Sequence, residues 1–325
     1  MLEDVSRFIL GNALTTETLK RMRHEVTSID PSFKNTLLSA RDSGEDIGRR
    51  SPVEGIQRTH LVDLVVANAK RAQESARVLE EFAKLPEVPQ EVSRLDFEQA
   101  RFTLYEIEKE LTLLLSRQNK LERINGVYVI IDPSTIKNGD ALKAAREVVE
   151  GGGRVIQLRD KDRDKAELVR IAGDMQQICA DGGCLFVIND NVDIASAVNA
   201  DGVHLGQGDM PVRMARQLLA PDKVIGCTVR SVEQALQAQA EGADYIGVGS
   251  MYPSPTKPEA PVVGLETLSR IRSAVTLPIV AIGGIDEANA RAVVGNGANG
   301  IAVISAIISS EDIETATRRL VQQIS

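Results

Sequence analysis

The stretch from 127 to 158 opens with Val127-Tyr128-Val129-Ile130-Ile131, passes through a helical pattern over Asp140–Glu150, and closes with Val155-Ile156-Gln157-Leu158. Two short apolar runs separated by a helix-length segment make one β-α-β unit, with parallel strands covered by helix. The alternation continues to the end of the chain. Leu185–Ile188, Gly202–Leu205, Val224–Cys227, Tyr245–Val248, Ile279–Ile282 and Ile301–Ile304 follow as strands, and Lys165–Ala180 and Ser231–Glu241 read as helices between them. Eight units in about 200 residues fit a closed (β/α)8 barrel better than an open doubly wound sheet. The expected second domain is therefore a TIM barrel of the α/β class over 121–325.

In such a barrel the site lies at the C-terminal ends of the strands. Polar residues collect there. Strand two ends in Gln157-Leu158-Arg159-Asp160-Lys161, which aims Gln157, Arg159 and Lys161 at one mouth. Strand three ends in Asn189-Asp190, strand four runs into His204-Leu205-Gly206-Gln207-Gly208-Asp209, and strand five ends at Thr228. Strand six leads to Ser254-Pro255-Thr256-Lys257, strand seven to Gly283-Gly284, and strand eight to Ser305-Ala306. Loops after strands seven and eight form the usual phosphate cradle of these barrels. Gly283-Gly284 lets backbone come close to a ligand, and Ser305 can open a short helix whose N–H groups point outward. Tight turning is the competing reason for the two glycines. Asp190 and Asp209 face the basic group of strand two. They read either as plain ion-pair partners or as Mg²⁺ ligands, since Mg²⁺ is usually held by one or two carboxylates plus substrate phosphate.

Taken in order, Gln157-Leu158-Arg159-x-Lys161, Ile188-Asn189-Asp190, Asp201-Gly202-Val203-His204-Leu205-Gly206-Gln207-x-Asp209, Gly247-x-Gly249-x-x-x-Pro253-x-x-Thr256-Lys257 and Ile282-Gly283-Gly284-Ile285 resemble the successive signatures of the thiamine-phosphate synthase family. The resemblance implies that a hydroxymethylpyrimidine diphosphate and a thiazole phosphate are joined with release of diphosphate. It implies that Gln157, Arg159, Lys161, Asn189 and Lys257 bind the diphosphate, with Lys257, Arg159 and Lys161 stabilising the leaving group. Asp190 and Asp209 match the Mg²⁺ ligands. Ser254, Thr256, Gly284, Ile304 and Ser305 match the thiazole-phosphate site. Thr228 matches a pyrimidine-contacting hydroxyl that is usually serine, and Arg230 stands where the family often has histidine. Two other readings compete. A thiazole tautomerase of the same fold shares the cradle but has no need of the diphosphate residues, and a non-catalytic sensor of thiamine precursors has no need of a leaving-group site.

His204 reads either as an acid or base or as a buried, hydrogen-bonded side chain. Cys227 reads as core. His24 and His60 fall in the helical region and carry no role.

Upstream, residues 1–120 have helical periodicity. Leu61, Leu64, Val65, Ala69, Ala72, Ala76, Leu79 and Phe82 mark one long amphipathic helix, stopped by Pro86 and Pro89. Val92, Leu95, Ala100, Leu104, Ile107, Leu111 and Leu114 mark another, and 40–50 reads as a loop. Asn68–Glu81 together with Arg41-Asp42-x-x-x-Asp46-x-Gly48 resembles a helical domain often fused ahead of the synthase and associated with phosphorylating hydroxymethylpyrimidine phosphate. On that resemblance Arg41, Lys70, Arg71 and Arg77 are phosphate-binding candidates, and Asp42, Asp46 and Glu80 are Mg²⁺ candidates. Solvated helix faces with pairs such as Lys70–Glu74 are the plainer account of the charges on 68–81. Leu2–Phe8 also resembles Leu79–Leu85 type for type, which reads either as chance similarity of two amphipathic segments or as a chain beginning partway into its first repeat.

A net charge of −8 and the absence of Trp argue against a nucleic-acid or anionic-membrane partner, while a local basic pocket still suits small phosphorylated substrates. Cys179, Cys184 and Cys227 form no metal or redox pattern, which suits free thiols in a reducing compartment. With no signal-peptide start and no apolar run near 18 residues, a cytoplasmic protein is expected. Nothing in the sequence decides between a monomer and a homo-oligomer.

Overall fold

The computed structural model describes residues 1–27, 35, 38–39, 60–86, 88, 90–93, 95–136, 139–254 and 259–324. The chain divides into two compact units, Met1–Ser116 and Arg117–Ser325.

The first unit is helical. Leu2–Asp4 is a short α-helical turn that continues as a π-helix over Val5–Ile9. Among the described residues three longer helices follow: α1 (Ala13–Thr27), α2 (Leu61–Phe82) and α3 (Phe97–Glu122), the last running on into the second unit. Apolar residues three and four apart on α2 and α3 face one core, where Val65, Ala69, Leu111 and Leu115 are buried with Leu2, Val5 and Leu19. The long helix expected from Val92 is in fact broken. Gln90–Ser93 is a separate short helix, and Asp96 opens α3 by accepting from the Gln99 N–H at 2.8 Å. The resemblance of Leu2–Phe8 to Leu79–Leu85 does not extend to packing, since Leu2 and Val5 are buried whereas Leu79 and Phe82 are exposed.

The second unit is the expected barrel. Its strands are β1 (Gly126–Ile131), β2 (Val155–Leu158), β3 (Leu185–Asn189), β4 (Gly202–Leu205), β5 (Val224–Val229), β6 (Tyr245–Gly249), β7 (Ile279–Ile282) and β8 (Gly300–Val303). All neighbours pair in parallel, and Gly126 opposite Gly300 closes the ring. Helices α4 (Ala141–Glu150), α5 (Lys165–Asp181), α6 (Val192–Ala197), α7 (Val212–Leu218), α8 (Val232–Ala240), α9 (Gly264–Ala274), α10 (Ala290–Gly295), α11 (Ser305–Ile308) and α12 (Ile313–Ile324) lie on the connections and after the last strand. Asp140, Asp164 and Ser231 cap α4, α5 and α8 by accepting backbone N–H groups at 2.9, 2.9 and 3.3 Å.

The two-residue pleat sorts the strands into two cores. Val127, Val129 and Ile131 pack with the helices, whereas Tyr128 and Ile130 point into the barrel with Leu185, Val187, Val224 and Val280. Ile124, 2% exposed, closes the barrel's base with Leu121 of α3. Each such buried aliphatic side chain contributes about 1.5–3 kcal/mol. Around that base, carboxylates at the strand starts are ion-paired. Lys120 Nζ lies 3.2 Å from both Asp201 and Asp222, and Asp244 pairs with Arg216 and, at 3.6 Å, with Arg117.

Candidate active site

At the opposite end the barrel opens into a cavity of about 1120 Å³, its mouth included. Lys161, Asp190 and Asp209 do not line it, Asp209 lining a second pocket with Gly206, Gln207 and Cys227, but most of the barrel residues singled out from the sequence do. They do so because they continue the inward set of each strand. Gln157 and Arg159 extend β2, Asn189 ends β3, His204 sits in β4, Thr228 and Arg230 continue β5, and Gly284 and Ile304 lie two residues beyond the last inward positions of β7 and β8. Ser254 and Ser305 also line the cavity. Arg41, Asp42, Asp46, Thr256 and Lys257 lie outside the described residues.

Arg159 is held by a residue that sequence reasoning passed over. Asp132, directly after β1 and 8% exposed as a side chain, pairs with the guanidinium through Oδ2. Its Oδ1 accepts from the Ser134 N–H at 3.1 Å and the Ser134 hydroxyl at 2.6 Å. Both carboxylate oxygens are thus engaged, and the guanidinium is locked by a charge-assisted contact. The signal was present in Val129-Ile130-Ile131-Asp132-Pro133, a carboxylate at the end of the first strand. Asp160, after β2, accepts from the backbone of Asp162 and Arg163 at 3.2 Å each and so shapes the turn carrying Lys161.

Asp190 follows Asn189, so a regular pleat would turn it away from the mouth. Instead it adopts φ 63°, a left-handed conformation uncommon outside glycine but tolerated by Asp. Its carboxylate lies 3.7 Å from Lys161 Nζ. Burial first, and then the neighbouring Asp209 carboxyl, push the Asp190 carboxyl up to about 6, against the opposing pull of Lys161 and Arg159. Asp209 is fixed by accepting the Gly206 N–H at 2.7 Å. Two carboxylates brought together at partial burial form a pair that a divalent cation relieves. Among the described residues no cluster of three or more His, Cys, Asp or Glu side chains gathers, so the protein offers two anionic ligands. That fits Mg²⁺, which keeps waters and substrate phosphate oxygens on its remaining positions.

Across the mouth the architecture is backbone. Gly283 and Gly284 have φ 101° and 63°. A Cβ on Gly284 would meet the Pro253 carbonyl oxygen at 2.5 Å, and one on Gly283 the Ser250 hydroxyl at 2.0 Å. The geometry supports the turning reason for the glycine pair: the turn has positive φ, and the close approach it makes is to the loop after β6. Tyr252 N–H donates to the Gly283 carbonyl at 3.0 Å, tying the two loops together. Ser305 does open the short helix α11. The first intrahelical bonds there run from Ile307 and Ile308 to the Ile304 carbonyl, which leaves the two preceding N–H groups at the helix start, facing outward from the ladder.

His204 is hydrogen-bonded through both ring nitrogens, Nδ1 to Tyr245 Oη at 3.1 Å and Nε2 to Thr228 Oγ1 at 2.9 Å, which favours the structural reading over an acid or base. Burial pushes the Cys227 thiol up to about 11, so it stays protonated and inert as a nucleophile.

In the helical unit Lys70, Arg71 and Arg77 are exposed. Lys70 reaches Glu108 at 3.8 Å, across to α3 rather than along its own helix to Glu74. Glu80 is taken up by Arg101 at 3.1 Å and Lys84 at 3.5 Å. Exposure leaves the three cations accessible, and the pairing of Glu80 competes with a metal role.

A sequence profile described as thiamine monophosphate synthase matches residues 127–307, and one described as the ThiD2 family matches 1–110. A thiamine-phosphate synthase of Synechocystis is 36% identical over all 325 residues, which cover 91% of that protein. One from Methanospirillum hungatei is 47% identical over 195 residues, 60% of this chain and 95% of that one. Among solved structures, a thiamine phosphate pyrophosphorylase from Pyrococcus furiosus matches 63% of this chain and 96% of its own, with TM-score 0.58 and 42% identity.

Proposed function

This chain belongs to the thiamine-phosphate synthase family, and we propose from that premise that its barrel joins a hydroxymethylpyrimidine diphosphate to a thiazole phosphate, giving thiamine phosphate and diphosphate. The observation that supports the reading is that the charged residues at the ends of β2–β4 and the positive-φ glycine loop after β7, with the helix start after β8, lie at the same end of the barrel, where they suit two anions of different kinds. A tautomerase or a sensor has no use for the charged group.

The chemistry asks little beyond charge and alignment. The bond between the pyrimidine methylene and the diphosphate oxygen breaks, and its electron pair leaves with diphosphate. The electron-rich pyrimidine supports the resulting cation, and the thiazole nitrogen's lone pair closes the new C–N bond. No general base is required, which agrees with the absence of a triad or activated thiol among the described residues of the mouth. Arg159, oriented by Asp132, stabilises the departing diphosphate with Lys161, Gln157, Asn189 and Lys257. Asp190 and Asp209 would hold Mg²⁺, which when bound supplies positive charge to the same leaving group. Gly284, Ile304, Ser305, Ser254 and Thr256 seat the thiazole phosphate, so that the two rings meet in line. Thr228 and Arg230 border the pyrimidine.

Within this reading residues 121–325 form the synthase domain and 1–120 a helical domain that phosphorylates hydroxymethylpyrimidine phosphate, supplying the barrel's substrate. The match of 1–110 to the ThiD2 family supports it, with Arg41, Lys70, Arg71 and Arg77 toward phosphates and Asp42, Asp46 and Glu80 toward Mg²⁺. Three unpaired, buried thiols and no helix among the described residues long and apolar enough to cross a membrane suit a cytoplasmic enzyme of small phosphorylated substrates. The test is to mix pyrimidine diphosphate, thiazole phosphate and Mg²⁺ with the full chain and follow thiamine phosphate. Absence of product rejects the synthase assignment. The same assay with pyrimidine monophosphate and ATP tests the helical domain, which predicts product and ADP.

A further inference from the structure

Beneath the mouth, five polar side chains from five strands form one continuous hydrogen-bonded chain across the barrel floor. Gln157 Nε2 donates to Tyr128 Oη at 2.9 Å, Tyr128 Oη lies 3.0 Å from Tyr245 Oη, and Tyr245 Oη lies 3.1 Å from His204 Nδ1. His204 Nε2 then lies 2.9 Å from Thr228 Oγ1. Gln157, Tyr128 and Tyr245 are buried, at 2%, 3% and 0% exposure. Room for them comes from two glycines. A Cβ on Gly226 would meet Tyr245 Cζ at 2.2 Å and His204 Nδ1 at 2.5 Å, and one on Gly247 would meet His204 Cε1 at 2.9 Å.

The chain has a direction. Tyr128 already accepts from the Gln157 amide, so its own proton goes to Tyr245. The Tyr245 proton then goes to His204 Nδ1, which must be the unprotonated nitrogen. Nε2 carries the ring proton and donates it to Thr228. An imidazolium would leave one of the two buried tyrosine protons with no acceptor in the chain, an outcome burial penalises. With Thr228 Oγ1 already accepting from His204, its own proton is left for the cavity.

From this we infer that the floor makes Thr228 a hydrogen-bond donor to substrate, selecting a ring nitrogen of the aminopyrimidine rather than its exocyclic amino group. Tyr245 and His204 are positioning residues for that selection. The inference rests on the proposed pyrimidine contact of Thr228, and it names which atom of that ring the contact takes.

Its test reads the histidine directly. In ¹⁵N-histidine NMR of the full chain at about pH 8, above the ordinary histidine range, His24→Gln and His60→Gln variants identify the His204 signals. The expected pattern is the neutral Nε2–H tautomer. The Nδ1–H tautomer, which arises if the Gln157 carbonyl faces Tyr128, reverses the chain and overturns the inference, as does an imidazolium. In kinetics, Tyr245→Phe and Thr228→Val each raise KM for the pyrimidine diphosphate about tenfold, the scale of one hydrogen bond, and leave KM for thiazole phosphate within about twofold. The two changes together cost no more than Thr228→Val alone, and Thr228→Ser restores binding. Equal effects on both substrates, or none, would count against the assignment. Failure of the wild-type protein to make thiamine phosphate rejects the reaction and not the chain, because the tautomer is read without turnover.

Discussion

On the β2–β4 side of the mouth, the proposed diphosphate site is built from side chains: Arg159 held by Asp132, Lys161 near Asp190, and Asp190 beside Asp209. On the β7–β8 side the proposed phosphate cradle is built from main chain, with Gly283 and Gly284 at positive φ and Ser305 opening the short helix α11. The first side has charges whose strength depends on neighbours and pH. The second has dipoles that are fixed once the loops fold. This difference matches two tasks. A leaving diphosphate needs stabilisation that grows as the bond breaks, whereas the thiazole phosphate needs only to be held while its ring attacks.

Perturbations on the two sides should therefore look different. Asp190→Ala or Lys257→Ala is expected to lower turnover by about 10²–10³, the scale for removing a preorganised charge stabiliser, with KM for thiazole phosphate little changed. Steady-state kinetics check it, and near wild-type synthesis by both variants would remove the leaving-group site. Asp132→Asn frees the Arg159 guanidinium without removing it. A loss of about 10–100-fold in kcat is expected from misplacement alone. Equal kcat for Asp132→Asn and wild type would mean Arg159 needs no partner.

The charged side also titrates. Burial and the Asp209 carboxyl hold Asp190 up at about 6, so in the metal-free folded protein the protonated form persists to higher pH than in the unfolded chain. That contribution to stability is present at low pH and is lost as pH rises through about 6. A cation has to displace the proton, so Mg²⁺ affinity is expected to fall by up to about tenfold per unit below about pH 6, measured as the Mg²⁺-dependent rise in Tm. Asp209→Asn should move the inflection downward. Gly284→Ala on the backbone side has no pH signature. It is expected to cost about 1–3 kcal/mol of stability from positive φ and to raise KM for thiazole phosphate severalfold while sparing the pyrimidine diphosphate. A Tm unchanged from wild type would show that the loop yields.

The barrel could be read from sequence because each strand is a short apolar run bounded by a helix and because eight recurrences leave little topological choice. Strand positions agree to within two residues at either end, and Asp140, Asp164 and Ser231 cap helices where the pattern changes. Gln157, Arg159, Asn189 and Thr228 were legible for the same reason, since polar residues at inward positions of buried strands stand out. Asp132 was not, because its partner is 27 residues away and only the register of β1 against β2 brings the two side chains together. The chain through Tyr128 and Tyr245 was hidden more deeply. A tyrosine in an apolar strand reads as core, and only the folded barrel brings its hydroxyl beside another. Asp190 was found from its motif, although the pleat alone would have turned it away. The break before α3 was missed because Val92 and Leu95 stay in helical phase with the apolar residues of α3, while the interruption depends on Asp96 acting as a cap.

The ion-paired base bears on how this enzyme can change over evolutionary time. Asp201, Asp222 and Asp244 anchor the starts of β4, β5 and β6 at the end of the barrel away from the barrel residues proposed to meet substrate. Anchorage and chemistry therefore draw on separate positions. Loops at the mouth are free to lengthen, exchange residues or acquire new ligands without loosening those anchors. Mutational drift is expected to be tolerated unevenly, sparingly at the base and generously at the rim, which is the condition under which one scaffold acquires new substrates.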